Sequence, residues 1–109
     1  MEHYRQNADA RPVEMLPGVF RRTLTTTPGM MLCEITLEAG SEVPLHTHPH
    51  EQIGYVAQGT IEMTVAGETR LCSAGDSYAI PGSVPHAARA SHGRTVVVDV
   101  FSPHREEYK

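Results

Sequence analysis

The chain has 109 residues, enough for one domain with a single buried core. Its formal charge of −4 argues against a nucleic-acid or anionic-membrane surface, and nine Gly and eight Pro leave little room for long helices. No run is long and apolar enough for a membrane-crossing helix, and "MEHYRQNADA" lacks the basic-then-apolar layout of a secretory leader, so a cytoplasmic protein is expected.

Residues 1–18 are polar and close on "LPG", which predicts an N-terminal arm or first edge strand ahead of one domain over 19–109. From Val19 onward, short alternating segments follow at near-regular intervals. "MMLCEITLEAG" puts Met31, Cys33, Ile35 and Leu37 on one face and Glu34, Thr36 and Glu38 on the other. "TIEMTVAG" sets Ile61, Met63 and Val65 against Thr60, Glu62 and Thr64, again the period of a half-buried strand. Further strands are predicted over 19–26, 43–48, 51–58, 68–73, 76–80, 85–90 and 94–101. Gly40, Gly59, Gly67, Gly75, "PGS" at 81–83 and "HG" at 92–93 punctuate them, with Gly67 at the tip of a hairpin. Many short strands with Gly and Pro turns give an all-β sandwich or small barrel. Met30, Met31 and Met63 read as core. Cys33 and Cys72 stand 39 residues apart among apolar neighbours and read as reduced, partly buried thiols.

The densest chemistry lies in "HTHPHEQIGY" at 46–55. "HEQIG" begins like the zinc-protease motif H-E-x-x-H, but Gly54 occupies the second histidine's place and the surroundings are strand-like. In a strand, side chains two apart share a face, so His46 and His48 point the same way, forming half a metal site. Gln52 has the same parity, although Pro49 bends the chain between them. A further ligand must come from elsewhere, and "IPGSVPHAARA" offers His86 just past a Pro-Gly turn. A solvated polar loop beside Glu51 is the competing reading for any one of these histidines; the pair plus His86 favours ligands. His50 stays open between ligand and buttress of a ligand, while His3, His92 and His104 read as solvated surface.

These residues resemble the two cupin motifs. Gly40, five residues, His46-x-His48, three residues, Gln52, six residues and Gly59 follow the first; Gly75, five residues, Pro81 and then His86 follow the second. Fifteen residues separate Gly59 from Gly75, the short spacing of compact cupins. The resemblance implies a double-stranded β-helix, or jelly-roll barrel, holding one divalent transition metal on His46, His48, Gln52 and His86. Three departures stand out: Gln52 replaces the usual glutamate, Ser83 stands where the second glycine of Pro-x-Gly is expected, and Ala90 stands where Asn is common. A glutamine contributes a neutral oxygen and leaves the ion its full charge, which favours Lewis-acid work on a carboxylate or carbonyl. Ni, Zn, Mn and Fe all tolerate such a set.

Together with "VVVDVFSPHREEY", the chain is similar to the pectin- and alginate-degradation cupins that open 4,5-unsaturated monouronates to linear keto sugar acids. That branch implies roles for Asp99, Phe101 and Arg105. In "TVVVDVFSP", Asp99 shares a face with Val97 and Phe101; a carboxylate there needs a partner or a job. It either pairs with Arg89 or Arg94 on an outer face or, as the resemblance implies, faces the cavity and moves a proton while Phe101 packs on a sugar ring. Arg105 either solvates the surface or, if the C-terminus folds over the barrel mouth, grips a carboxylate by paired hydrogen bonds. Tyr55, of opposite parity to Gln52, reads as sheet packing; Tyr78 is open between core and cavity wall. Competing functions are a cupin dioxygenase and a non-catalytic metal- or sugar-binding cupin. The resemblance also implies a homodimer built with residues 1–25.

Overall fold

A computed structural model describes residues 2–108. Ten strands form among the described residues: β1 (Val13–Leu16), β2 (Val19–Thr26), β3 (Met31–Leu37), β4 (Glu42–His46), β5 (Glu51–Gln58), β6 (Thr60–Val65), β7 (Glu68–Ser73), β8 (Ser77–Ile80), β9 (His86–Arg89) and β10 (Thr95–Ser102). They build a six-stranded sheet in the order β1-β2-β3-β10-β5-β8 and a four-stranded sheet in the order β4-β9-β6-β7. Every pairing is antiparallel. The fold is the jelly roll that the sequence suggested.

The period-2 patterns decide which face each strand turns inward. Met31, Cys33, Ile35 and Leu37 of β3 are buried, as are Thr95, Val97, Asp99 and Phe101 of β10. From the facing sheet come Ile61 and Met63 of β6. These residues, with Val19, Val56 and Ile80, form one continuous apolar core between the sheets. β6 and β7 join through Ala66 and Gly67, both at positive φ, the two-residue turn whose twist matches that of the flanking strands.

Four readings from the sequence change. Met30 is half exposed, because it lies in the turn before β3 rather than on its inward face. The strand predicted over 43–48 ends at His46 after a register irregularity, so His48 stands beyond it. His104 is largely covered and lies 3.7 Å from Glu106, not free in solvent, since the C-terminal turn folds back against the barrel. Tyr55 faces away from the cavity but remains half exposed on the outer surface. Both cysteines are free, Cys33 buried and Cys72 partly so.

Within residues 1–18 the chain forms a single 3-10 turn, Asn7–Asp9, and then β1 on the sheet edge. Asn7 donates to Glu34 and accepts from Arg22, which docks the arm on the outer surface of β2 and β3.

Candidate metal centre and its cavity

His46 ends β4, His86 begins β9, and the register places them directly opposite each other. His48 joins them from the bend after β4, because the Pro81–Ser83 turn is tied to it: Ser83 N–H donates to His48 O at 2.8 Å. The three imidazoles offer one nitrogen each within 4.8 Å of one another, a spacing able to hold a metal ion.

The rings are oriented by their own main chain. Each Nδ1 meets a carbonyl two residues away: His46 with Pro44 O at 2.9 Å, His48 with His50 O at 3.1 Å, His86 with Val84 O at 2.9 Å. A carbonyl only accepts, so each Nδ1 carries the proton and each Nε2 presents a lone pair. His86 Nε2 is buried and has no hydrogen-bond partner among the described residues. His48 Nε2 lies 3.1 Å from Gln52 Oε1. A neutral ring already donating from Nδ1 has no proton for that contact, so two acceptors face each other. Gln52 cannot relieve this by flipping, since its amide nitrogen is engaged by Asp99. Converging lone pairs of this kind fit a cation and little else. Burial, reinforced by the Arg105 charge and the neighbouring ring, pushes His48 below the ordinary histidine range, and burial does the same to His86. Both shifts favour the neutral, ligating form. The buttress of His48 is the His50 main chain; the His50 imidazole lies outside the three-histidine group but stands edge-on to the His48 ring, centroids 5.6 Å apart.

The centre opens on a cavity of about 520 Å³ between the sheets. Its far walls are apolar (Ile35, Leu37, Ile61, Met63 and Val97), whereas His46, His86, Gln52, Tyr78, Asp99 and Arg105 gather at one end. Asp99 turns inward and is 5% exposed, so it does not pair with an outer arginine; Arg89 is bound instead to Glu42 on the surface. Tyr78 O–H donates to Asp99 Oδ1 at 2.6 Å. Burial raises the Asp99 carboxyl from 3.8 to about 6, against the pull of hydrogen bonds from Tyr78 and Gln52. Burial and the adjacent carboxyl push Tyr78 well above its usual value, so it stays a donor.

Phe101 stands edge-on to His48, with ring centroids 5.9 Å apart, and edge-on to Tyr108. The C-terminal turn Glu106–Tyr108 is held by Thr23 Oγ1 donating to Tyr108 O. Arg105 lies over the Tyr108 ring at 4.2 Å, donating from Nε to Glu107 at 2.7 Å and from Nη1 to the Tyr108 hydroxyl at 3.1 Å. Six of the seven residues singled out from the sequence line this one cavity, and His48 stands behind it in the imidazole cluster. Two more escaped that reading. Tyr78, open between core and cavity wall in the sequence, and Gly54, notable there only as a missing histidine, both sit against Asp99.

Comparison with known proteins matches the geometry. The cupin domain pattern covers residues 33–101. The pectin degradation protein KdgF of Dickeya dadantii is 31% identical over 102 residues, spanning 92% of this chain and 93% of that one. Quercetin 2,3-dioxygenase of Bacillus subtilis is 40% identical over 72 residues, 62% of this chain but 21% of that much longer one. The structure of KdgF from a Halomonas species superposes with a TM-score of 0.93 at 32% identity, covering all of both chains. With the domain pattern, the full-length relative and the barrel in agreement, the chain belongs to the cupin family.

Proposed function

We propose that this cupin is a metal-dependent enzyme that opens a 4,5-unsaturated monouronate to a linear keto sugar acid. The observation that carries the reading is the buried Asp99 carboxyl, raised to about 6, beside a cluster of converging imidazoles in a cavity of small-molecule size. The pectin-degradation name of its Dickeya relative points to the same substrate class.

The reaction is an isomerisation. As the C1 hydroxyl gives up a proton, the bond between C1 and the ring oxygen breaks and C1 becomes an aldehyde; the enolate left at C5 becomes a ketone as C4 gains a proton. One group that both takes and gives a proton suffices, and a carboxyl at about 6 is suited to both. His46, His48, His86 and Gln52 would hold a divalent ion, Ni, Zn, Mn or Fe, which when bound supplies Lewis-acid stabilisation to the substrate carboxylate and the developing enolate charge. Arg105 spends two N–H groups on Glu107 and Tyr108 among the described residues, leaving a fork of N–H groups for a carboxylate. Phe101 offers a flat wall for the ring, and the apolar far walls exclude water. The cytoplasmic location and the homodimer through residues 1–25 belong to the same proposal.

The test follows the ultraviolet absorbance of 4,5-unsaturated galacturonate with metal-loaded and chelated protein. Acceleration only by the loaded protein supports the reading; equal rates, matching the spontaneous opening, overturn it. The similarity to quercetin 2,3-dioxygenase favours a second reading, a cupin dioxygenase. Oxygen uptake with a flavonol and Fe(II)-loaded protein separates the two.

A further inference from the structure

Asp99, Gly54 and Tyr78 occupy one cross-strand row: Asp99 on β10 pairs with Gly54 on β5, which pairs with Tyr78 on β8. Gly54 is the gap in that row. A Cβ at this position would lie 2.2 Å from Tyr78 Cζ, 2.3 Å from its Cε1 and 2.4 Å from Asp99 Oδ1. The tyrosine ring thus crosses a bare α-carbon to reach the carboxyl. Its hydroxyl donates to Oδ1. A phenylalanine would fill the same space, so what tyrosine adds is one donor aimed at one oxygen. The same carboxyl engages the Gln52 amide, whose oxygen faces His48 Nε2.

We propose that Tyr78 is a positioning residue: its bond to Asp99 fixes the carboxyl and, through Asp99, keeps the Gln52 amide oxygen turned toward the three histidines, with Gly54 the glycine that makes room. Two links connect Tyr78 to the ligand cluster, and each is a hydrogen bond between strands rather than within one. The chemistry of Asp99 rests on the function proposed above. The orientation of Gln52 does not, because metal affinity reports it without turnover.

The experiment compares wild type, Tyr78→Phe, Asp99→Ala and the double variant. Zn²⁺ affinity is read by competition with a chromophoric chelator, and kcat and KM are read on unsaturated galacturonate. Tyr78→Phe is expected to weaken Zn²⁺ binding about tenfold and lower kcat about 10–100-fold, with KM within about threefold, the usual consequence of losing an outer partner of a ligand. The double variant binds Zn²⁺ no more weakly than Asp99→Ala alone, since Tyr78 acts through Asp99. Gly54→Ala, whose methyl meets both the Tyr78 ring and Asp99 Oδ1, is expected to weaken Zn²⁺ binding at least as much as Tyr78→Phe. Should Gly54→Ala fail to fold, Tyr78→Phe, which deletes a single oxygen, still decides. Unchanged Zn²⁺ affinity in Tyr78→Phe, or losses from Tyr78 and Asp99 that add, would overturn the proposal. Wild-type protein without turnover but with this affinity pattern would sink the uronate reading and leave the positioning role standing.

Discussion

The two halves of the reactive end of the cavity are held by different kinds of bond. At the histidine half, each imidazole is oriented by a carbonyl two residues away on its own strand or bend: Pro44, His50 and Val84. At the acid half, Asp99 is oriented by side chains from two other strands, Tyr78 on β8 and Gln52 on β5. Main-chain anchors survive most substitutions, because every residue type carries the carbonyl. Side-chain anchors vanish with one mutation. The difference makes the metal half robust and the acid half fragile.

The largest effect should follow from attacking the robust half at a ligand itself. His86→Ala deletes a buried Nε2 that has no hydrogen-bond partner among the described residues and leaves the other two rings in place. Metal affinity is expected to drop by more than the roughly 10–100-fold typical of losing an outer partner. Metal content per chain after dialysis measures it. Retention of full metal would show that the cluster does not depend on β9.

Next comes the acid itself. Asp99→Asn keeps one acceptor oxygen at this position but cannot carry the proton, so kcat should fall by about 10²–10⁴ while most of the metal content is retained. Loss of metal along with activity would mean that the substitution also releases the Gln52 amide, the link between the two halves.

The same substitution has a stability signature in chelated protein. The Asp99 carboxyl is raised from 3.8 to about 6 on folding, so the folded state binds the extra proton in that window. Although burial of neutral His48 and His86 gives a slope of the opposite sign, the share of stability due to Asp99 is fully present below about pH 4 and lost as pH rises to about 6, on the order of 3 kcal/mol in all at 1.36 kcal/mol per pH unit. Metal-free Asp99→Asn should lack this slope and be the more stable protein at pH 7, as urea titrations at pH 4 and 7 would reveal. An identical slope in both proteins would place the titration elsewhere.

What could be read from the sequence follows the same division. His46, His48 and His86 were legible because their arrangement is local: a spacing of two, and a turn that closes on the next strand. The alternation of β3 and β6 was legible for the same reason, a short-range period set by burial on one face. Tyr78 and Asp99 are 21 residues apart, and Gly54 lies opposite both only because β5, β8 and β10 pair in one register. No spacing along the chain encodes that row. The end of β4 at His46 was equally hidden, since it depends on an irregularity in pairing with β9. A position near the terminus suggests solvent for His104, whereas the C-terminal turn folds back on the barrel.

The smallest effect probes the turn that joins the halves. Ser83 takes φ 65, a left-handed backbone that favours glycine, at the position where the cupin motif places one. Its N–H nevertheless donates to His48 O, the bond that ties this turn to the metal cluster. A non-glycine residue in that conformation costs about 1–2 kcal/mol, part of which glycine returns through its greater freedom in the unfolded chain. Ser83→Gly should therefore raise stability by roughly 0.5 kcal/mol, a shift of a few degrees in Tm for a domain of this size. Zn²⁺ affinity should stay within twofold, because the bond to His48 comes from the main chain and the substitution leaves it intact. A gain in stability with a tenfold change in affinity would mean that the serine side chain, rather than the peptide N–H, sets the position of His48, and the division between backbone-held ligands and side-chain-held acid would then fail at its closest point of contact.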